Sequence, residues 1–111
     1  MGITYGALNV IDFSTLSVGA TTALDLSSAS PAMDVTLGTV GGKRVRRAFF
    51  SVEDQGCRWR PDGTDPTITE GHEMADTDTL SFVDANYEEL LKAIKFISLT
   101  GTCKIKITFF D

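Results

Sequence analysis

Hydrophobic and polar residues alternate over short stretches of the chain, a pattern typical of β-strands that bury one face. The clearest example runs from residue 103 to residue 110. One predicted face carries Cys103, Ile105, Ile107 and Phe109, and the other carries Lys104, Lys106, Thr108 and Phe110. Because successive side chains of a strand point to opposite sides, we expect the first set to lie in the core.

Further strand patterns follow one another along the chain with turn-forming residues between them. They lie at residues 22–27, 47–52, 57–60, 79–83 and 93–97. Leu24 and Leu26 are the predicted inward residues of the first segment. Residues 86–91 favour one helical turn or a loop, and no window keeps a helical period over the ~12 residues of a stable helix. These patterns predict an all-β fold, an antiparallel β-sandwich with at most one short helical turn. A jelly-roll order of the strands stays open.

Length and composition predict one globular domain, residues 1–111. A chain of 111 residues can form a single hydrophobic core. Hydrophobic residues make up 42% and charged residues 23%, a balance that favours a folded chain over a disordered one. Residues 1–42 are rich in Ser, Thr, Ala and Gly. We regard this part as a candidate docking arm, since backbone pairing with a neighbouring protein tolerates small polar side chains.

The net charge and the hydropathy of the chain argue against two classes of partner, nucleic acids and membranes. A formal net charge of −5 argues against general nucleic-acid binding, which needs a basic surface. No apolar run approaches the ~18 residues of a membrane span, so the sequence predicts no membrane partner.

The two cysteines favour a structural role. Each lies among apolar residues of an alternating strand and has no CxxC spacing, which predicts reduced thiols in the core. The expected buried cluster comprises Trp59, Phe96, Cys103, Ile105 and Ile107. Reduced thiols suit synthesis in a reducing cytoplasm.

A strand followed by a tight turn spans Cys57–Thr67. Asp62 and Gly63 supply the polar side chain and the backbone freedom that such a turn needs. We interpret Arg58, Arg60, Asp62 and Gly63 as a structural clasp, in which an ion pair and hydrogen bonds hold the turn. An anionic ligand bound by the two arginines is the alternative.

Charged residues are separated along the chain. The basic residues Lys43, Arg44, Arg46 and Arg47 form a cluster that is a candidate interface with an acidic protein surface or with nucleic acid. A solvated start of a strand is the alternative. Residues 62–89 hold nine acidic residues and no Lys or Arg. Such blocks favour packing by charge complementarity, which sets register more than affinity. A solvated acidic surface is the alternative.

Catalytic and metal-binding patterns are not apparent in the sequence. His72 is the single histidine, and it has no second ligand at a known metal-site spacing. The sequence has no G-x-S-x-G motif and no phosphate-binding glycine loop. We therefore predict that the protein is not an enzyme and has no catalytic residues, no metal and no cofactor.

Several of these motifs together resemble small β-proteins encoded among the virion genes of tailed bacteriophages. The matching segments are Arg58-Trp59-Arg60, Asp62-Gly63-Thr64, Pro66-Thr67, Gly71, Ile94-Lys95-Phe96-Ile97 and the last strand. The chain departs from the pattern by Pro61 before Asp62 and by an insertion at residues 84–92.

The resemblance implies a virion structural protein, such as a capsid decoration protein or another minor head-associated subunit. Such a protein is made in the host cytoplasm, forms homo-oligomers and binds other viral structural proteins of the capsid or the head–tail junction. The alternative is a carbohydrate- or receptor-binding module of a virion, with Trp59 or Tyr87 as the stacking aromatic. An exposed planar ring beside Asp or Asn would favour this alternative, and burial of Trp59 would argue against it.

Overall fold

The structure of the chain, a computed structural model, describes residues 4–5 and 8–111. The strands are β1 (Thr4–Tyr5), β2 (Leu8–Val18), β3 (Leu24–Asp25), β4 (Met33–Asp34), β5 (Thr39–Val40), β6 (Lys43–Arg44), β7 (Arg47–Glu53), β8 (Cys57–Arg60), β9 (His72–Met74), β10 (Thr79–Phe82), β11 (Lys95–Ser98) and β12 (Cys103–Phe110). A 3-10 turn covers Leu26–Ser28, and the α-helix α1 covers Glu88–Ala93. The fold is mostly β, as the alternation predicts.

The strands form antiparallel sheets that pack on one another. The five-stranded sheet has the order β1-β2-β12-β7-β10, the four-stranded sheet β3-β11-β8-β9 and the three-stranded sheet β4-β5-β6. Phe50 of the first sheet and Phe96 of the second meet in the core, with their ring centroids 5.4 Å apart. The architecture is therefore sandwich-like, as predicted, but its strand order does not establish a jelly roll.

The last strand confirms the inward set of residues predicted from the sequence, whereas Phe110, assigned to the opposite face, is also buried. Cys103, Ile105, Ile107 and Phe109 are all fully buried. β12 lies between β2 and β7 and pairs with both along its length. The strand with the most regular alternation is thus the centre of the larger sheet.

Strand β2 corrects the interpretation of the N-terminal part. Eight of its residues pair with β12, and Leu16 and Val18 belong to the hydrophobic core. Residues 8–42 are therefore part of the folded domain and do not form a docking arm. The rest of the predicted arm lies outside the described residues, apart from Thr4–Tyr5, which pair with the start of β2.

Two predicted elements are shifted or shortened in the structure. The strand expected at residues 22–27 is reduced to β3, because the Asp25 side chain accepts a hydrogen bond from the Ser27 backbone and starts a 3-10 turn. Leu26 is buried in that turn, while Leu24 is half-buried. The helical turn expected at residues 86–91 is present as α1. The strand that follows begins at Lys95 and not at residue 93, because the helix extends to Ala93.

Within the described residues, no helix is both long enough and apolar enough to span a membrane.

Candidate functional site

The outward surface of the five-stranded sheet is the main candidate for a binding site. Strand register places four side chains in a row across it, from β2 to β10, in the order Phe13, Thr108, Phe49 and Ser81. Phe13 is 56% exposed and Phe49 is 38% exposed. We call this surface the outer face and define it by that row and by two parallel rows, Thr15-Lys106-Ser51-Thr79 and Ser17-Lys104-Glu53.

The aromatic end of the outer face contains a groove of about 690 Å³. We call it the outer groove, and it is lined by Leu8, Val10, Phe13, Phe49, Ser81, Val83 and Thr108. Five of these seven residues are apolar, and the other two carry only small hydroxyl groups. Contiguous apolar surface of this kind marks protein-binding sites more often than chance exposure does.

A β-bulge in β2 places two of the groove residues. Asp12 lies opposite Phe109, and Val10 lies opposite Phe110, so Ile11 is an extra residue. Such an insertion shifts the alternation of side chains by one position. Val10 and Leu8 consequently share the outer face with Phe13, while Ile11 packs against the core.

The sequence did not predict the outer groove because, next to the bulge, an apolar residue faces outward and a polar residue faces the core. Phe13 points outward, whereas Ser14 is buried and its hydroxyl donates a hydrogen bond of 2.7 Å to the Pro31 carbonyl. The position of Phe49 could have indicated the groove. It is an apolar residue at an outward strand position, between the buried residues Ala48 and Phe50.

The other end of the outer face is charged with both signs. Lys104 Nζ lies 3.9 Å from Asp54 Oδ2, and Lys106 Nζ lies 3.8 Å from Glu53 Oε2. These pairs are exposed and longer than a hydrogen bond, so they contribute little to stability. Their charges remain accessible to a partner.

The turn after β8 carries the contacts proposed for the clasp. Arg60 Nε and Nη2 reach the two carboxylate oxygens of Asp62 at 3.1 and 2.5 Å. Asp62 also accepts a 3.2 Å hydrogen bond from the Thr64 backbone, and Gly63 has a φ of +80°. The hydrogen bonds from Arg60 are the main reason that the pKa of Asp62 falls to about 2.

Arg58 acts on the loop that leads into β9. Its guanidinium donates to the carbonyl oxygens of Ile68 and Gly71 at 3.1 and 2.9 Å and pairs with Glu73 at 3.1 Å. Both arginines of the motif therefore bind groups of their own domain. An anionic ligand would have to compete with these contacts.

Three members of the basic cluster also have partners within the domain. Arg44 Nε forms a 2.7 Å ion pair with Glu88 and thereby lowers the pKa of that carboxyl. Arg46 pairs with the Asp111 carboxylate, and Arg47 donates to the Asp111 backbone carbonyl at 2.7 Å. The cluster is thus less available to an external acidic surface than the sequence suggests.

The two aromatic candidates lie in one chain of ring contacts. Trp59 contacts His72 and Phe82 with centroid distances of 4.8 and 5.9 Å, and Phe82 contacts Tyr87 at 5.2 Å. Trp59 is half-buried and packs against the core cluster, which contains Phe96, Cys103, Ile105 and Ile107. It is a peripheral member of the predicted cluster rather than a fully buried one.

Tyr87 lines a shallow depression of about 360 Å³ with Arg44, Asn86, Glu88, Glu89 and Leu90. Its hydroxyl donates a hydrogen bond to the Asp84 carboxylate, which raises the pKa of the phenol. The ring and the amide of Asn86 are the type of pair that the carbohydrate hypothesis requires.

Cys57 and Cys103 are both free and buried. A hydrogen bond with Cys103, together with burial, raises the pKa of Cys57. The contact joins β8 of one sheet to β12 of the other. Within residues 4–5 and 8–111, no group of three or more His, Cys, Asp or Glu side chains is placed to hold a metal ion.

Comparison of the chain with protein-family models, with curated proteins and with solved structures gives no match.

Proposed function

We propose that the protein is a non-enzymatic structural subunit of a tailed-bacteriophage virion, a capsid decoration protein or another minor head-associated subunit. It binds other viral structural proteins through the outer face. The observation that carries this proposal is the outer groove. There the exposed rings of Phe13 and Phe49 flank Thr108, and three aliphatic residues complete the apolar lining. Apolar side chains that stay in water are costly, and binding of a protein removes that cost.

The arrangement of charges supports the outer face over the basic cluster as the binding surface. Arg44, Arg46 and Arg47 each contact oxygen atoms of the same domain. The outer face instead offers a hydrophobic centre beside exposed charges, the usual composition of a protein interface.

The viral assignment rests on the resemblance at residues 58–67 and 94–97. The described contacts of those residues have a structural explanation, since Arg60 and Asp62 hold a turn and Lys95 pairs with Asp65 at 2.8 Å. The shared motif therefore supports a shared fold, and the outer face supplies the binding function.

Two measurements test the proposal. Mass spectrometry of purified particles from an infected host should detect this chain as a component. Particles that lack the protein should bind it when it is added back, and Phe49→Ser should weaken binding about tenfold, the effect of losing an aromatic residue in an interface.

Ile68→Ser is the matched control, because Ile68 is 51% exposed and lies away from the outer face. Binding should survive in this variant. Absence of the chain from particles would refute the virion role, and equal binding by the two variants would refute the role of the outer face.

A carbohydrate- or receptor-binding module is the second candidate, favoured by Tyr87 and Asn86 in the shallow depression. Trp59 is a poorer stacking surface because its ring packs between His72 and Phe82. Nuclear magnetic resonance titration with simple sugars tests this role. Tyr87→Ala should abolish binding, whereas Tyr87→Phe should retain it; no shift of the Tyr87 signals with any sugar would exclude the site.

A further inference from the structure

We propose that the outer face binds a second copy of this chain, around a two-fold axis that runs parallel to the strands between β12 and β7. This dimer rests on the proposed function and deepens it by naming a partner that covers the outer face in solution; a viral protein that binds the same face takes the place of the second copy. The axis lies at the middle of four neighbouring strands of the larger sheet, β2, β12, β7 and β10.

The side-chain sizes on the outer face are self-complementary around this axis. A rotation about it exchanges β12 with β7 and β2 with β10. Within the row Phe13-Thr108-Phe49-Ser81, Phe49 then faces Thr108 of the second copy, and Phe13 faces Ser81 of the second copy. Each large ring meets a small residue, so the two faces can approach without two rings competing for one position.

The charges on the outer face are complementary around the same axis. Lys104 and Glu53 are register partners on β12 and β7. The rotation therefore brings Lys104 of each copy opposite Glu53 of the other. Large rings meet small residues at one end, and opposite charges meet at the other, so the surface is self-complementary as an isologous interface requires.

The area of the outer face is sufficient for such a dimer. Strands about 4.8 Å apart that rise about 3.3 Å per residue give β2, β12, β7 and β10, with 11, 8, 7 and 4 residues, a surface of roughly 500 Å². Two copies then bury roughly 1,000 Å², close to the lower limit for a specific interface. We expect a reversible dimer rather than a permanent one.

Analytical ultracentrifugation of the full chain, from micromolar to millimolar concentration, measures the dimer directly. The wild-type protein should show a monomer–dimer equilibrium. Phe49→Ser should raise the dissociation constant about tenfold, and Ile68→Ser should leave it unchanged. Circular dichroism and thermal unfolding establish that each variant is folded.

A charge exchange tests the position of the axis. Lys104→Glu places two carboxylates opposite each other in a homodimer, and Glu53→Lys places two ammonium groups there. Each variant alone should dimerise less than the wild type, whereas an equimolar mixture should form mixed dimers, since every facing pair is then of opposite charge. The double variant Lys104→Glu/Glu53→Lys should dimerise like the wild type.

A wild-type chain that stays monomeric up to millimolar concentration would overturn the proposed dimer. So would dimers that are insensitive to Phe49→Ser, or single charge variants that fail to pair in the mixture. Particle binding is measured separately, so a monomer that still binds particles through Phe49 would refute the dimer and leave the virion role standing. A dimer in solution without particle binding would support the dimer and refute the virion role.

Discussion

Arg60 and Asp62, two residues apart, form a two-point ion pair across the turn that follows β8. The Nε–Oδ1 distance is 3.1 Å, and the Nη2–Oδ2 distance is 2.5 Å. The planar guanidinium suits this arrangement because its donors match both oxygens of a carboxylate. The pair fixes the residue that immediately precedes Gly63.

The first prediction concerns the ionisation of Asp62. Its pKa lies at about 2, below its ordinary value of 3.8, because of the hydrogen bonds from Arg60. The folded state therefore binds this proton less readily than the unfolded chain. The contribution of the pair to stability is complete above the ordinary pKa and disappears as the pH falls towards 2.

Nuclear magnetic resonance titration of the Asp62 carboxyl carbon measures this pKa. Arg60→Gln should raise it towards the ordinary value. Arg58→Gln removes the same charge from the neighbouring strand position but leaves the hydrogen bonds to Asp62, so it should have little effect. A wild-type Asp62 that titrates at its ordinary pKa would contradict the ion pair.

The second prediction concerns the backbone of the turn. Gly63 has a φ of +80°, which residues with a Cβ adopt at a cost, although the space around a Cβ at this position is open. Gly63→Val should lower the free energy of unfolding by at least about 1 kcal/mol in denaturant titrations. Gly19→Val is the control, because Gly19 has similar open space and no positive φ. Equal losses in both variants would show that the left-handed conformation is not the cause.

The third prediction concerns the core. Ile107 is fully buried on the inner side of β12, so Ile107→Ala should cost about 2–5 kcal/mol of stability. Lys104→Ala, on the exposed side of the same strand, should change stability by no more than about 0.5 kcal/mol. Urea titration measures both, and a small effect of Ile107→Ala would mean that the strand faces are assigned in reverse.

The fourth prediction concerns the two thiols. Cys57 and Cys103 are fully buried, and the hydrogen bond between them helps to raise the pKa of Cys57. Burial shields both sulfur atoms, so neither cysteine should react with iodoacetamide in the native protein, although the same hydrogen bond lowers the pKa of Cys103. Both should react once the chain is unfolded in denaturant. Rapid labelling of the native protein would show that the contact between the sheets opens readily.

The local pattern of the sequence was sufficient for elements whose alternation is regular. β12 and β7 could be predicted with their faces, because Ile107 and Phe50 occupy inward positions of an unbroken two-residue period. Strand partners could not be predicted in the same way. β7 and β8 are separated by only three residues, yet they lie in different sheets, and the contact between Cys57 and Cys103 arises from that crossing.

The candidate site was only partly accessible to sequence reasoning. The clasp residues Arg60 and Asp62 could be identified because their interaction is local, and short turns follow known residue preferences. The outer groove is formed by residues of four strands that are distant in sequence. The alternation of polar and apolar residues within β2 does not predict it. Tertiary register, and not local propensity, decides which apolar residues share a surface.

The bulge at Ile11 allows the binding surface to persist when strand β2 changes in length by one residue. Deletion of Ile11 would leave Asp12 opposite Phe109 and Val10 opposite Phe110, so Leu8 and Val10 would stay on the outer face while the strand regains an unbroken alternation. Related chains could therefore differ by one codon at this position and keep the same groove. A comparison of alternation patterns alone would assign Leu8 and Val10 to opposite faces in two such chains, although they occupy the same place.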